Sequence, residues 1–210
     1  MRINDLNSLQ DHIDLEIAWR KKEILWQKEQ LFNKNDDNKY LLRAAILILY
    51  SHWEGSIKKV GEYYLCYIKC QNLKYEDLNH NFFGILLFQK YKKIGTSKQF
   101  KDFNLCVLEL EKEKVYDYYK VIPAESNLKS DVFENILNLI GVSIEKIELD
   151  KKLIDEVLLK NRNKIAHGER FDGLDIDAKR FMEISNKVLN TIEIFCNTIM
   201  DYAINEKYLR

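Results

Sequence analysis

Arg162 and His167 lie five positions apart in the segment Asn161–Glu169, near the end of a long amphipathic pattern, and they are the residues best suited to chemistry. Arginine is a permanent cation whose planar fork of N–H donors matches a phosphate group. Histidine can take up and return a proton near neutral pH. Together the two side chains supply the minimum equipment for cutting a phosphodiester without a metal ion.

The spacing of the pair raises a geometric difficulty. Because 3.6 residues make one helical turn, five positions correspond to about 140°, so Arg162 and His167 do not share a face of an ideal helix. Asn163, four residues before His167, does share its face. The helix could loosen before Gly168, or a two-fold axis could place Arg162 and His167 of both subunits along one cleft. The second arrangement is preferred, because Arg162 continues an apolar stripe of the helix.

A purely structural role fits the same spacing. A histidine near a helix C-terminus interacts favourably with the helix dipole, and Arg162 could be the ion-pair partner of a carboxylate. Spacing alone therefore favours structure over catalysis.

Other polar residues could support the pair. Glu54 lies in an apolar helical run, where an acid needs a partner, either the Arg–His pair or Lys58 four residues later. Three basic residues flank the motif and could contact phosphates or form an ordinary solvated face, namely Lys160, Lys164 and Arg170.

The composition is that of an ordinary globular protein. The chain has 210 residues, of which 46% are hydrophobic and 31% are charged. Lys plus Arg and Asp plus Glu both number 33, so no bulk charge attracts the protein to nucleic acid or to a membrane. Any polyanion must be held by a local patch. The apolar runs are too short to cross a bilayer and no signal peptide is visible, so we expect a cytoplasmic protein. The cysteines are expected to be reduced thiols, because only Cys66 and Cys70 form a close pair and zinc sites need more ligands.

One proline and seven glycines leave few breaks, which favours long helices. Hydrophobic periodicity predicts an all-α fold of long antiparallel helices in a single domain, residues 1–210, with residues 71–125 as a possible insertion or lid. Helices are predicted over residues 4–32, 37–69, 79–91 and 98–114, and residues 115–122 could be extended. Three further helices are predicted, one from Ser130 as its N-cap to Gly141, the motif helix from Asp150 to Gly168, and a last one from Asp177 to about Asn205. Gly55 and Gly61, inside the second helix, are expected to permit close helix approach.

Three segments together resemble the HEPN superfamily, in its MAE_28990/MAE_18760-like branch. The first is Arg162-Asn163-x-x-x-His167 followed by Gly168-Glu169, which looks like the HEPN signature. The second is Tyr50–Lys58 and the third is Ser126–Phe133. The resemblance spans most of the chain, and the combination of segments is more specific than the Arg-x4-His element alone.

The resemblance implies a HEPN-like helical bundle that forms a two-fold dimer and acts as a metal-independent endoribonuclease, a toxin or phage-defence effector. Carried over, Arg162 and His167 are the catalytic pair and Asn163 is the polar residue between them, with no cofactor. The expected partners are RNA (tRNA included), a second copy of the chain, and an antitoxin or defence-system protein. HEPN toxins that are silenced by nucleotidylation carry a tyrosine where this chain has Glu169, so that control is not expected here.

Two other functions stay open at this point. The family also contains inactive scaffolds, so the chain could be a non-catalytic dimerisation module. A nucleotide-sensing module would use the same cationic cleft.

Overall fold

The computed structural model describes residues 2–33, 39–85, 87, 121–122, 127–170 and 176–210, and these residues fold as helices joined by turns. The helices are α1 (Leu6–Asn33), α2 (Lys39–Cys70), α3 (Ser130–Leu139), α4 (Lys160–Ala166) and α5 (Ala178–Ile204). A π-helical segment, Leu153–Leu159, leads directly into α4, and short 3₁₀ turns occupy Tyr75–Asp77 and Ile144–Lys146. No strand occurs among the described residues, which contain only an isolated bridge between Leu78 and Leu209. The predicted all-α fold is confirmed.

The long helices α1, α2 and α5 pack against one another, and α2 also contacts the motif helix. This central helix buries residues on several faces, in keeping with the nearly all-round apolar stretch at residues 44–50. The Trp53 ring of α2 lies 5.3 Å from Phe133 of α3, which lies 5.8 Å from Phe195 of α5, measured between ring centroids. All three side chains are fully buried. These aromatic contacts fasten α3 to the core.

A buried ion-pair network joins α1 to α2. Arg20 is only 7% exposed, and its Nε donates to Glu16 at 3.1 Å. Its Nη1 lies 3.3 Å from Nδ1 of His52, whose Nε2 lies 2.9 Å from Glu23. Burial and the Arg20 charge lower the pKa of His52. Gly55 permits the arrangement, because a Cβ there would lie 2.7 Å from the Arg20 guanidinium. Close helix approach was expected at Gly55 and Gly61, but the structure places side chains there: the Arg20 guanidinium against Gly55, and Ile122 Cδ1 2.6 Å from the Cβ position of Gly61.

The start of α3 differs from the prediction. Ser130 is the first helical residue rather than the N-cap, which is Lys129. The Ser130 N–H and hydroxyl both donate to Asp155 of the π-helical segment, at 2.8 and 2.5 Å. An acceptor from another helix thus replaces the local cap, which a reading of the adjacent sequence could not reveal. This contact ties α3 to the segment that leads into the motif.

Two other helix ends follow their predicted signals. Gly141, with φ of 73°, closes α3, and the N–H of Val142 donates to the Leu137 carbonyl at 2.9 Å, as in a Schellman motif. Asp177 is the N-cap of α5, and its carboxylate accepts the N–H of Arg180 at 2.6 Å.

Several predictions concern residues outside those described. They include the helix at 98–114 and most of the extended segment at 115–122. Residues 80–85 are helical, in agreement with the start of the helix predicted at 79–91. The single domain and the insertion at 71–125 stay predictions.

Gly55→Ala should destabilise the protein, because the added methyl group displaces the buried Arg20 guanidinium. We expect the free energy of unfolding to fall by about 1 kcal/mol in urea denaturation, because the flexible Arg20 side chain can shift and keep Glu16, while the higher helix propensity of alanine offsets part of the loss. Gly84→Ala is the matched control, since nothing lies within 4 Å of its Cβ position. That variant should be neutral or more stable by up to ~1 kcal/mol. Equal effects of the two substitutions would contradict the packing role of Gly55.

Candidate active site

Asp150 starts the helical segment that carries the motif, as predicted. Its carboxylate accepts the N–H of Leu153 at 3.0 Å and lies 3.0 Å from the ammonium of Lys187 on α5. Both contacts lower the pKa of Asp150, the first more than the second. The π-helical segment follows, and α4 then carries Arg162. The π geometry was not predicted, because an apolar pattern with a period of 3.6 residues does not signal a widened turn.

The helix stays regular up to the histidine. The His167 N–H still donates to the Asn163 carbonyl at 2.9 Å, and its φ is −86°. Gly168, with φ of 75°, then ends the helix. The N–H of Glu169 donates to the Lys164 carbonyl at 3.0 Å, which completes a Schellman motif. The helix does not loosen before Gly168, so Arg162 and His167 keep different faces. Within one chain, the backbone therefore leaves the two groups apart.

Arg162 is half-buried and is oriented by three uncharged groups. Its Nη1 donates to the amide oxygens of Asn127, at 3.2 Å, and of Asn163, at 2.8 Å. Its Cζ lies 4.9 Å from the centre of the Tyr50 ring, in a cation–π contact. Its Nε and Nη2 donate to no residue that the structure describes. One edge of the guanidinium thus holds its orientation, and the other can donate to a ligand.

The charge of Arg162 is not balanced within the described part of the chain, where no carboxylate forms an ion pair with it. Arg20, by contrast, is buried together with the Glu16 carboxylate. A cation withdrawn from water is costly unless an anion accompanies it. The ion-pair role considered for Arg162 from the sequence is therefore not found among these residues. Its surroundings fit a group that binds an external anion.

The backbone that carries Asn127 is fixed by α2. The N–H of Leu128 donates to the Tyr50 hydroxyl at 2.6 Å, and the Leu128 carbonyl accepts from the Trp53 indole at 3.2 Å. Burial raises the pKa of Tyr50 far above its usual value, so the phenol stays protonated. The ring of the same tyrosine stacks on Arg162. One side chain of α2 therefore positions both the guanidinium and the segment that supplies its acceptor.

His167 is exposed at the end of α4. Its ring makes no hydrogen bond, ion pair or ring contact with the residues described. Its backbone is fixed by the Schellman motif, while none of the described residues engages either ring nitrogen. An imidazole in this state can exchange protons with a ligand.

Glu54 does not reach the Arg–His pair. Its carboxylate lies 2.6 Å from the ammonium of Lys58, the partner considered as an alternative from the sequence. The nearby Glu54 carboxylate also contributes to the raised pKa of the Tyr50 phenol, after burial. No contact among the described residues joins Glu54 to Arg162 or His167. Glu54 therefore supports Tyr50 and reaches the motif only through it.

Two residues that contact the motif were not singled out from the sequence. Asn127 is 35 residues away from Arg162 in the chain, and Arg43 is 126 residues away from Glu169, whose carbonyl accepts from Arg43 Nη1 at 2.8 Å. Asn127 belongs to a segment that carried the family resemblance, but nothing in its type or spacing indicated a partner. Contacts of this range depend on how α2 packs beside α4.

The basic residues beside the motif are accessible. Lys160 and Arg170 are exposed and Lys164 is partly exposed. Throughout the described ranges, no three His, Cys, Asp or Glu side chains are placed so that they could hold a metal ion. None of the described helices is both long and apolar enough to span a bilayer.

A family model for MAE_28990-like HEPN domains matches residues 9–208. The chain belongs to the HEPN superfamily. The match includes every residue described above around Arg162 and His167, and it confirms the resemblance drawn from the three sequence segments. Membership in HEPN places the chain among nuclease or RNA-related modules. No curated protein and no solved structure matches this HEPN chain.

Gly168→Ala should destabilise the HEPN motif helix through its backbone alone. The φ of 75° disfavours a Cβ, yet nothing lies within 4 Å of the Cβ position. We expect a loss of about 1 kcal/mol of unfolding free energy in urea denaturation. Gly168→Asn should cost less, because asparagine tolerates the left-handed conformation better than alanine. Two variants as stable as the wild type would show that the Schellman turn contributes little.

Proposed function

We propose that this HEPN protein is a metal-independent endoribonuclease. The observation that supports it best is the half-buried Arg162, oriented by uncharged groups and lacking a carboxylate partner among the described residues. His167, whose ring has no partner among the described residues, follows the last residue of the same short helix. A phosphodiester supplies the anion that Arg162 lacks and the proton transfers that His167 can perform.

RNA carries its own nucleophile, the 2′-hydroxyl. His167 would remove the proton of that hydroxyl as a general base, and Arg162 would stabilise the charge that grows on the non-bridging oxygens of the phosphorane. The leaving 5′-oxygen needs a proton, which one histidine cannot deliver while it still acts as the base. The products would be a 2′,3′-cyclic phosphate and a 5′-hydroxyl.

A homodimer would meet this need, because a second copy brings a second His167. Arg162 and His167 leave different faces of α4, so the two groups of one chain do not converge. In a dimer, Arg162 of one subunit could instead face His167 of the other. The exposed Tyr40 and Leu47 of α2 lie three positions before Arg43 and Tyr50, which reach the motif. Residues three apart are neighbours on a helix, so an exposed apolar stripe borders the site. We propose that this stripe belongs to the dimer interface.

The biological role that we propose is that of a toxin or phage-defence effector acting in the cytoplasm. RNA, tRNA included, would be its substrate. Because free ribonuclease activity harms the host cell, an antitoxin or a defence-system partner would restrain it. The flanking Lys160, Lys164 and Arg170 would contact RNA phosphates. They would form a local positive patch on a chain whose net charge is zero.

Arg162→Ala and His167→Ala should each reduce cleavage of total tRNA by at least about 10²-fold, since each removes a group that acts in the transition state. Cleavage by the wild type should persist in EDTA, and sequencing of the fragments should find 2′,3′-cyclic phosphate ends. Arg180→Ala and His80→Ala are the matched controls. They remove the same side-chain types outside the motif and should cleave like the wild type.

Cleavage that stops in EDTA would contradict the metal-independent mechanism. Folded variants at Arg162 and His167 that behave like the wild type, both in the tRNA digest and in the growth of expressing cells, would instead favour a scaffold. A thermal shift with free nucleotides that depends on Arg162, without cleavage, would favour a nucleotide sensor.

Mixing the two inactive variants tests whether the site is shared between subunits. A heterodimer of Arg162→Ala and His167→Ala retains one intact Arg–His pair only if the pair forms between subunits. Co-expressed and co-purified variants should therefore cleave faster than either variant alone but well below half of the wild-type rate, because a single His167 leaves protonation of the 5′-oxygen to water. Absence of recovery in a verified heterodimer would show that the pair works within one chain or that the second His167 is indispensable. Light scattering should show that wild type and variants form dimers.

A further inference from the structure

We propose that Asn127 is a positioning residue that orients Arg162 for an incoming phosphate while leaving its charge uncompensated. The inference rests on the proposed function and specifies how its anion-binding group is prepared. The observations behind it are the contacts of one guanidinium edge and the chemical type of the groups that make them.

The contacts restrict Arg162 at a single nitrogen. Nη1 donates to Asn127 and to Asn163, and the Tyr50 ring supports the plane of the guanidinium. Asn163 is the next residue of the same helix, so its amide moves with Arg162. Asn127 belongs to a different segment, which Tyr50 and Trp53 anchor through Leu128. Asn127 is therefore the hydrogen-bond partner that fixes Arg162 relative to α2.

The chemical type of the acceptor matters as much as its position. A carboxylate at position 127 would accept the same hydrogen bond, more strongly, and would also neutralise the guanidinium. The amide gives orientation without neutralisation, so the free edge of Arg162, Nε and Nη2, keeps its attraction for an anion. Arg20, whose partner is the Glu16 carboxylate, shows the opposite arrangement within the same chain.

Asn127→Asp separates orientation from charge. The variant should be at least as stable as the wild type, because it adds an ion pair. Its Kd for a short, non-cleavable 2′-O-methyl oligoribonucleotide should nevertheless rise roughly tenfold or more, since the new carboxylate competes with phosphate for Arg162. Asn127→Ala should bind that oligonucleotide within about threefold of the wild type, but lower kcat for RNA cleavage by roughly 10–100-fold through misplacement of the guanidinium.

Asn186→Asp is the matched control. The Asn186 amide oxygen accepts from the Lys28 ammonium at 2.5 Å, so this substitution also places a carboxylate against a cation. Position 186 lies between α5 and α1, so Asn186→Asp should change neither oligonucleotide affinity nor cleavage. A folded Asn127→Asp protein that binds the oligonucleotide as tightly as the wild type would overturn the proposal.

A second measurement does not depend on ribonuclease activity. In ¹⁵N NMR spectra of the arginine side chains, the Arg162 Nη resonances should be resolved in the wild type and averaged in Asn127→Ala, because the hydrogen bond restricts rotation. Titration with inorganic phosphate should shift the Arg162 signals in the wild type and much less in Asn127→Asp. If RNA is neither bound nor cut while these shifts occur, the ribonuclease proposal fails and the role of Asn127 stands. Averaged signals in the wild type would remove the role of Asn127 itself.

Discussion

A half-buried guanidinium held in place by uncharged groups is the constraint on which the rest of the site depends. Arg162 leaves α4 at a point where an amide oxygen from another segment and an aromatic ring from α2 fix its direction. Both supports trace back to α2, because Tyr50 provides the ring and also anchors the segment that carries Asn127. The packing of α2 between α1, α5 and the motif helix therefore sets the geometry of a group that α2 does not itself carry.

Arg20, which is buried, and Arg162, which is half-buried, show that the same type of side chain can have two different roles. Arg20 is buried with Glu16 beside it and lies close to His52, so its charge is satisfied inside the fold and its role is to join two helices. Arg162 has amide and aromatic partners, and the imidazole that accompanies it in the motif is exposed. Both arginines have a histidine associated with them, but only the second pair offers a free donor edge and a free proton carrier in the described part of the chain.

Much of the architecture could be predicted from the sequence, because long helices follow from local periodicity and their ends from single residues. Gly141, Gly168 and Asp177 end or start helices as expected. The cap of α3 was predicted wrongly, since its acceptor, Asp155, comes from another helix. The contact of Asn127 with Arg162 was missed for the same reason. Local sequence predicts what a residue does to its own backbone, whereas a site is assembled from side chains brought together by packing.

The π-helical segment before α4 has a consequence for how this chain can vary. Its backbone turn is wider than that of an α-helix, so it contains an extra residue per turn relative to regular helical spacing. Gaining a further residue there would rotate everything that follows by about 100° relative to Asp150, and Arg162 would swing away from Tyr50. A deletion would instead let the widened turn close to α-helical spacing. Substitutions that keep the wide turn would leave the guanidinium in place, but an added residue would not. The number of residues between Asp150 and Arg162 therefore helps to set the direction of the guanidinium, and it matters to the site as much as the identity of any side chain.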